Sequence, residues 1–385
     1  MHMARQVRDP ALDALPYASA PDEFLTRQLI TYIGNKRALL PLIDCAFATV
    51  QEELGPRRLT MLDLFSGSGV VARLMKARAS LVWANDLEDY SRSINRCFLT
   101  NPSAIDETAL ARHTDAIAAL AQERSSRHGF VRRLYAPASE AEITASDRVF
   151  YTVRNAEIID SCAPAIRALP APYADLLMGP FLSACSRHVN TAGVFKGFYK
   201  DRTGKGQYGG TGRNALERIL APIGIERPVL FEAPCEIRIT SLPAERLVEE
   251  MEPLDCAYLD PPYNQHPYGS NYFMLNAIAQ YTEPQETSRV SGIPKGWNRS
   301  SFNRPATALE ALTHCVEQVK ARFVVISYNS EGFIAPDTMT EMLQRFGTLR
   351  VTSQEYPTFR GCRNLANRDK SVREFLFLLR KSSPA

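Results

Sequence analysis

Four consecutive residues, Asp260-Pro261-Pro262-Tyr263, set an acid, two prolines and an aromatic ring directly behind the apolar run Cys256-Ala257-Tyr258-Leu259. A short run of that kind predicts a buried strand, so the four stand where a strand ends and a loop begins. The Asp260 carboxylate accepts hydrogen bonds, Pro261 lacks an N–H and keeps its carbonyl as a pure acceptor, and Tyr263 offers a face for stacking. Such a set suits a planar group that carries an amine, for example the amino edge of a nucleobase. Taken alone, the tetrapeptide also fits loop punctuation with a solvated capping acid.

A second group lies far upstream. Leu62-Asp63-Leu64-Phe65-Ser66-Gly67-Ser68-Gly69 reads as a strand and a glycine turn, with a helix opening at Val70. Two glycines in such a turn are often only structural, but here the next apolar run, Leu81-Val82-Trp83-Ala84, ends in Asn85-Asp86. That is about 20 residues on, the distance at which doubly wound nucleotide-binding folds place an acid on ribose hydroxyls. The pattern points to a nucleoside; Asp86 as a plain strand cap is the other reading.

These motifs, in this order, resemble the D12-class, Dam-like DNA adenine-N6 methyltransferases. Tyr32-Ile33-Gly34-Asn35-Lys36-Arg37 is similar to that family's amino-terminal motif, and Asn271-Tyr272-Phe273, Ser301-Phe302-Asn303 and Phe323 to Tyr328 are similar to its later blocks. The resemblance covers roughly residues 25 to 100 and 235 to 380. It implies S-adenosylmethionine as methyl donor, held by Tyr32, Lys36, Asp63, Phe65, Ser66, Gly67, Gly69, Asp86 and Asp260, with Lys36 at the methionine end and Asp63 near the amino group. It implies a flipped adenine held by Asp260, Pro261, Pro262 and Tyr263 in duplex DNA, and a modification enzyme that can accompany a restriction endonuclease. Lys36 as an exposed lysine at a helix start stays open. One departure stands out: Pro243, in Ile239-Thr240-Ser241-Leu242-Pro243-Ala244, occupies the place of the family's acid for the cofactor's adenine amine. A proline has no side-chain acceptor, so another group must serve.

Elements must position these residues. Strands are expected at Leu59 to Leu64, Ser80 to Ala84, Ile237 to Ser241, Asp255 to Leu259 and Phe323 to Tyr328. Helices are expected at Val70 to Lys76, Glu88 to Leu99, Tyr272 to Gln280 and Ala306 to Lys320, after an amphipathic segment from Lys36 to Val50. Alternating runs near Leu349 to Tyr356 and Arg373 to Leu379 read as an antiparallel hairpin at the sheet edge. The expected fold is α/β: a doubly wound methyltransferase-type sheet from residues 25–100 and 235–385, a leader over 1–24, and a mostly helical insertion over 101–234 that the resemblance makes the target-recognition domain. The insertion is too long for a loop. Within it, Arg187 to Arg218 carries seven Lys or Arg against two acids, with seven glycines interleaved. Lys196, Lys200, Arg202, Lys205 and Arg213 are its candidate DNA contacts, because cations neutralise phosphates and glycines let backbones approach. A solvated loop is the competing reading, and the same choice holds for Arg360, Arg363, Arg368 and Lys370.

Bulk properties narrow the class. A net charge of +3 over 385 residues is only mildly basic, so a nucleic-acid surface must be a local patch. No apolar stretch approaches a membrane span, and the amino terminus is broken by charges and prolines, which predicts a cytoplasmic protein. Eight scattered cysteines without a C-x-x-C pair predict reduced thiols and no metal site. The sequence carries no signal for oligomeric state. RNA adenine, cytosine N4 and a non-catalytic DNA-binding regulator remain as alternatives to DNA adenine.

Overall fold

Apolar residues alternate along each strand of the central sheet, and each alternate set meets its own layer of helices. In a computed structural model the chain is described over residues 20–357 and 371–382. Among them are seven strands: β1 (Leu59–Asp63), β2 (Ala79–Asn85), β3 (Glu236–Thr240), β4 (Leu254–Leu259), β5 (Ala321–Asn329), β6 (Gly347–Pro357) and β7 (Ser371–Lys381). They form one sheet in the order β3-β2-β1-β4-β5-β7-β6. The first five are parallel, and β7 runs antiparallel to both β5 and β6. This agrees with the expected hairpin and is consistent with a methyltransferase-type fold. The basic run from Arg360 to Lys370 lies outside the described residues.

Met61, Val82, Cys256, Tyr258, Phe323 and Val325 point to one face, where they pack on Ile43, Phe47 and Val50 of helix Leu40–Leu54 and on Val71 and Met75 of helix Val70–Arg78. Their neighbours Leu62, Trp83, Ala257, Leu259, Val324 and Ile326 point to the other face, toward helices Ala244–Glu250, Pro305–Gln318 and Pro336–Gln344. A period of two in sequence thus becomes two cores on opposite sides of one sheet.

The segment expected to be an insertion lies between β2 and β3. It is helical, with Glu107–Glu123, Phe130–Tyr135, Val153–Arg167, Tyr173–Arg187 and Leu216–Leu220. It builds a third core together with two helices of the flanking segments, Asp89–Phe98 and Phe273–Gln280. The joint is tight: a β-carbon at Gly179 would stand 2.6 Å from the Cβ of Cys97. Of the expected leader, residues 20–24 are described and docked; Phe24 is buried and packs on Phe231, with ring centres 5.4 Å apart. Among the described residues no helix is long and apolar enough to cross a membrane.

The order of strands reverses at β1, which lies between β2 and β4. At such a switch point the connections leave in opposite directions and a crevice opens beyond the carboxyl ends of the strands. Both sequence motifs sit there: the glycine turn follows β1 and Asp260 follows β4.

Candidate active site

The ends of β1, β2 and β3 are tied by one side chain. Asn85 is buried; its Nδ2 donates to the carbonyls of Leu64 (3.2 Å) and Leu242 (3.0 Å), and its Oδ1 accepts from Thr240 Oγ1 (2.8 Å) and the Leu242 amide (3.0 Å). Ser66 N donates to the Asn85 carbonyl at 2.9 Å, and Ser66 Oγ to Asn95 Oδ1 at 3.1 Å. The turn needs its glycines. Gly67 and Gly69 have φ of 53° and 72°, and a β-carbon would stand 2.7 Å from the Tyr32 hydroxyl at the first and 2.6 Å from Asn95 Oδ1 at the second.

A cavity of about 500 Å³ opens over this turn, lined by Tyr32, Leu64, Phe65, Asn85, Asp86, Glu88, Pro243, Glu245, Asp260, Pro262, Tyr268 and the segment from Asn298 to Asn303. Asp86 accepts from Gly67 N (2.7 Å) and Glu88 N (2.9 Å). Burial pushes its carboxyl up to about 6, with those two amides pulling the other way. Asp63 is buried at the end of β1; neither carboxyl oxygen meets a donor in full hydrogen-bond geometry, and the nearby Ser66 hydroxyl and Ala72 amide only temper its burial. Burial pushes it up to about 8. A buried carboxyl of this kind fits a cationic ligand group such as an ammonium. Phe65 meets Phe302 edge-on at 5.1 Å, which closes one wall.

Tyr32 belongs to a cluster of rings. It stacks on Tyr268 and Tyr272, with centres 5.0 Å from each, and its hydroxyl lies 3.3 Å from that of Tyr90. Ile33 N donates to the Tyr272 hydroxyl (2.8 Å) and the Tyr268 hydroxyl donates to the Ile33 carbonyl (3.0 Å). The amino-terminal motif is therefore fastened to the segment behind the Asp260 loop. That loop is itself pinned twice: Asn303 Nδ2 donates to the Asn264 carbonyl (2.8 Å) and Phe333 N to the Tyr263 carbonyl (3.1 Å). Pro261 is buried, Pro262 lines the cavity, and the Tyr263 ring packs edge-on against Tyr328 at 6.2 Å.

Lys36 is buried beside Asp260. Its Nζ lies 3.0 Å from Asp260 Oδ1 and 2.6 Å from Glu374 Oε1. Burial alone would lower the ammonium's pKa, but the two carboxylates raise it well above the ordinary lysine range, so Lys36 is a fixed cation. A buried ammonium requires such partners, and Lys36 is not the exposed lysine that its sequence context also allowed. Burial pushes the Asp260 carboxyl up to about 7; Lys36 pulls it down and Glu374 pushes it further up.

Three residues of the site carried no sequence signal. Glu374 sits in an apolar alternation on β7, Glu88 two residues beyond Asp86, and Glu245 two beyond Pro243. Glu88 is buried, accepts from Asn298 Nδ2 (3.2 Å), and burial pushes it up to about 8. Glu245 accepts a hydrogen bond from the Ser301 hydroxyl and brings a carboxylate to the corner where Pro243 has none.

The basic segment is an ordered hairpin. Tyr199 N donates to the Asn190 carbonyl (3.0 Å), Gln207 N to the Tyr199 carbonyl (3.0 Å) and Asp201 N to the Lys205 carbonyl (2.8 Å), and buried Asn190 accepts from Gly209 N (2.9 Å). Arg202 and Arg213 are exposed, and Lys200 and Lys205 are half-buried, Lys200 lying over the Phe198 ring at 5.1 Å. Lys196 Nζ lies 3.4 Å from His266 Nδ1, three residues past Tyr263, so this hairpin adjoins the Asp260 loop.

Residues 32–342 match the family described as D12 class N6 adenine-specific DNA methyltransferases. The chain is similar to the Type II methyltransferase M.NlaIII of Neisseria lactamica, 26% identical over 362 residues that cover 92% of this chain and 100% of the relative. It is similar also to the Type II methyltransferase M.CviAII of Paramecium bursaria Chlorella virus 1, 26% identical over 358 residues, 91% of this chain and 98% of the relative. The modification methylase StsI of Streptococcus sanguinis is 24% identical over 367 residues, 91% of this chain and 52% of the relative. The family match spans most of the chain and includes the glycine turn, Asp86 and the Asp260 loop; the chain belongs to the D12 class of N6 adenine-specific DNA methyltransferases.

Proposed function

We propose that this adenine-specific DNA methyltransferase uses S-adenosylmethionine to methylate N6 of an adenine flipped out of the duplex, as the modification member of a restriction-modification system. The observation that carries the reading is the crevice at the β1/β4 switch point, where Leu64 and Phe65 before the glycines, Asp86 and Asp260 line one cavity, and the buried Asp63 carboxyl ends the same strand β1. Asp63 would hold the amino group of the methionine moiety, Asp86 the ribose, and Phe65 and Phe302 one side of the adenine ring. Glu245 and Ser301 stand where an adenine amine needs an acceptor in place of Pro243. When bound, the donor supplies an electrophilic methyl group on a sulfonium.

The chain's own residues act on the base. An N6 lone pair is delocalised into the purine ring, and in a duplex the amine is paired with thymine and its faces are stacked between neighbouring bases, so the base must leave the helix at a cost of roughly a few kcal/mol. Asp260 and the Pro261 carbonyl accept the two N6 hydrogens, which aims the lone pair out of the ring plane; Tyr263 offers its ring to the flipped base. The positive charge that develops at N6 lies beside the Asp260 carboxylate, an electrostatic contribution rather than covalent catalysis. The inserted helices and the Arg187 to Arg218 hairpin supply the DNA-facing surface in this reading, which the Lys196–His266 contact supports.

Calorimetric titration with S-adenosylmethionine tests the cofactor site. Asp63→Asn and Asp86→Ala are each expected to weaken binding about tenfold or more, as removal of a charge-assisted hydrogen bond of roughly 1.5–3 kcal/mol requires. Unchanged affinity in both would remove the β1 crevice as the donor site.

A further inference from the structure

The polar contact that the proposed reaction leaves unexplained is the one on the far side of Lys36. Glu374 lies near the start of β7, opposite Asn329 of β5 and Gln354 of β6, directly before the apolar stretch Phe375-Leu376-Phe377-Leu378-Leu379. It is only 3% exposed. A carboxylate in that position is costly unless donors surround it, and three do: Lys36 Nζ at 2.6 Å, Ser327 Oγ at 2.7 Å and Asn329 Nδ2 at 3.1 Å. Ser327 and Asn329 are two residues apart on β5 and so share one face of the strand. The carboxyl end of β5 and the start of β7 form a cradle with one cation in it, and that cation reaches Asp260.

We infer that Glu374 is a positioning residue for methyl transfer: it anchors Lys36 against Oδ1 of Asp260 and neutralises the ammonium, leaving Oδ2 of Asp260 for the substrate amine. The inference rests on the reading of Asp260 as the amine acceptor. Two physical consequences follow from the arrangement. The ammonium lies at Asp260 Oδ1, so the carboxylate is held through that oxygen. Lys36 without a counter-charge would also oppose the positive charge that moves onto N6 as the carbon–sulfur bond breaks and the nitrogen–carbon bond forms. With both carboxylates ionised, the trio Asp260, Lys36 and Glu374 carries a net charge of minus one, which favours that shift of charge.

The groups facing Asp260 from all sides are Lys36, Glu374, Asp63, Tyr258, Tyr263 and Tyr268. Burial pushes the three tyrosines upward and Asp63 up to about 8, and the charged side chains that move the Asp260 carboxyl are Lys36 and Glu374. Glu374 pushes the Asp260 carboxyl up, hence its neutralisation must let Asp260 ionise at lower pH.

The test is the pH profile of methyl transfer to DNA by the intact Glu374→Gln enzyme, which keeps the side chain's size and its acceptor oxygen. The expected result is a fall in kcat of about tenfold or more, with the acid limb moved down by about half a pH unit or more, while DNA affinity is kept. Ser327→Ala, which removes one anchor and no charge, is expected to lower kcat less and to leave the limb in place. Wild-type kcat in Glu374→Gln, or a loss equal at every pH with the limb unmoved, overturns the inference and makes Glu374 a stability residue only. Asp260→Ala separates the two levels: transfer retained in that variant removes the acceptor reading and this inference with it, whereas an inactive Asp260→Ala beside an unmoved limb in Glu374→Gln overturns the role of Glu374 alone.

Discussion

Asp260 has two charged neighbours with opposite effects, and the balance sets when it can work. Burial and Glu374 raise its carboxyl, Lys36 lowers it, and the result lies at about 7. The ionised form is the one that accepts from both Lys36 and the N6 amine in the proposed reading, so activity must rise with pH as the proton leaves. We predict that kcat/KM climbs through an acid limb centred near pH 7 and that the limb is absent from the residual activity of Asp260→Asn. A profile flat from pH 5 to 9 would contradict an acceptor role for the ionised carboxylate. The same shift bears on stability with a definite sign: a carboxyl raised above its unfolded value stabilises the fold when protonated, and that contribution is lost as pH rises through about 7. At this scale the sequence was informative where chemistry needs an unusual local string. Asp260-Pro261-Pro262-Tyr263 and the glycine turn are such strings. Glu374 is not, because one acid in an alternating strand looks like a solvent-facing position, and only the neighbouring β5 and Lys36 make it a buried counter-ion.

Strands and helices near the sheet follow from periodicity, since each strand has one face for each core. The bounds Leu59–Asp63, Ala79–Asn85, Glu236–Thr240, Leu254–Leu259 and Ala321–Asn329 lie within two residues of expectation at either end. The network at their carboxyl ends was not legible, because it joins residues more than 150 positions apart through one amide. Asn85→Ala leaves the Thr240 hydroxyl and the Leu242 amide and carbonyl without that partner. We expect a loss of stability on the order of 2–4 kcal/mol in denaturant unfolding, together with weaker binding of the methyl donor because the Leu242 to Glu245 wall of the cavity is no longer held. A variant as stable as the parent would show that solvent replaces the amide without cost. The hairpin at Lys196 to Gln207 is a comparable case: glycines and cations in sequence do not distinguish a loose loop from an ordered one, and the buried Asn190 that orders it is a single polar residue with no local pattern around it.

On the scale of the whole molecule, the helices between β2 and β3 pack on Asp89–Phe98 and Phe273–Gln280 in a core of their own, and the segment after the Asp260 loop belongs to that core. Phe195 N donates to the Asn271 carbonyl at 2.7 Å, and Ser291 Oγ to the Lys196 carbonyl at 2.6 Å. Recognition by the insertion and chemistry at Asp260 are therefore linked by short hydrogen bonds in the proposed reading. If the hairpin cations meet phosphates, replacing Lys196, Lys200, Arg202 and Lys205 with Ala should weaken binding to cognate and unrelated duplexes alike. The slope of log K against log salt should then flatten by roughly 0.9 for each phosphate no longer neutralised. A loss confined to one sequence would make them base-reading residues, and an unchanged slope would make the hairpin a solvated surface. The most direct test of the central claim is mass-spectrometric nucleoside analysis of duplex DNA and of RNA after incubation with isotope-labelled S-adenosylmethionine, with wild type and Asp260→Ala side by side. The account predicts label in N6-methyladenine of the DNA and its loss, about a hundredfold or more, in the variant. Label in N4-methylcytosine, label in RNA, or N6-methyladenine formed at near wild-type rate by Asp260→Ala would contradict it.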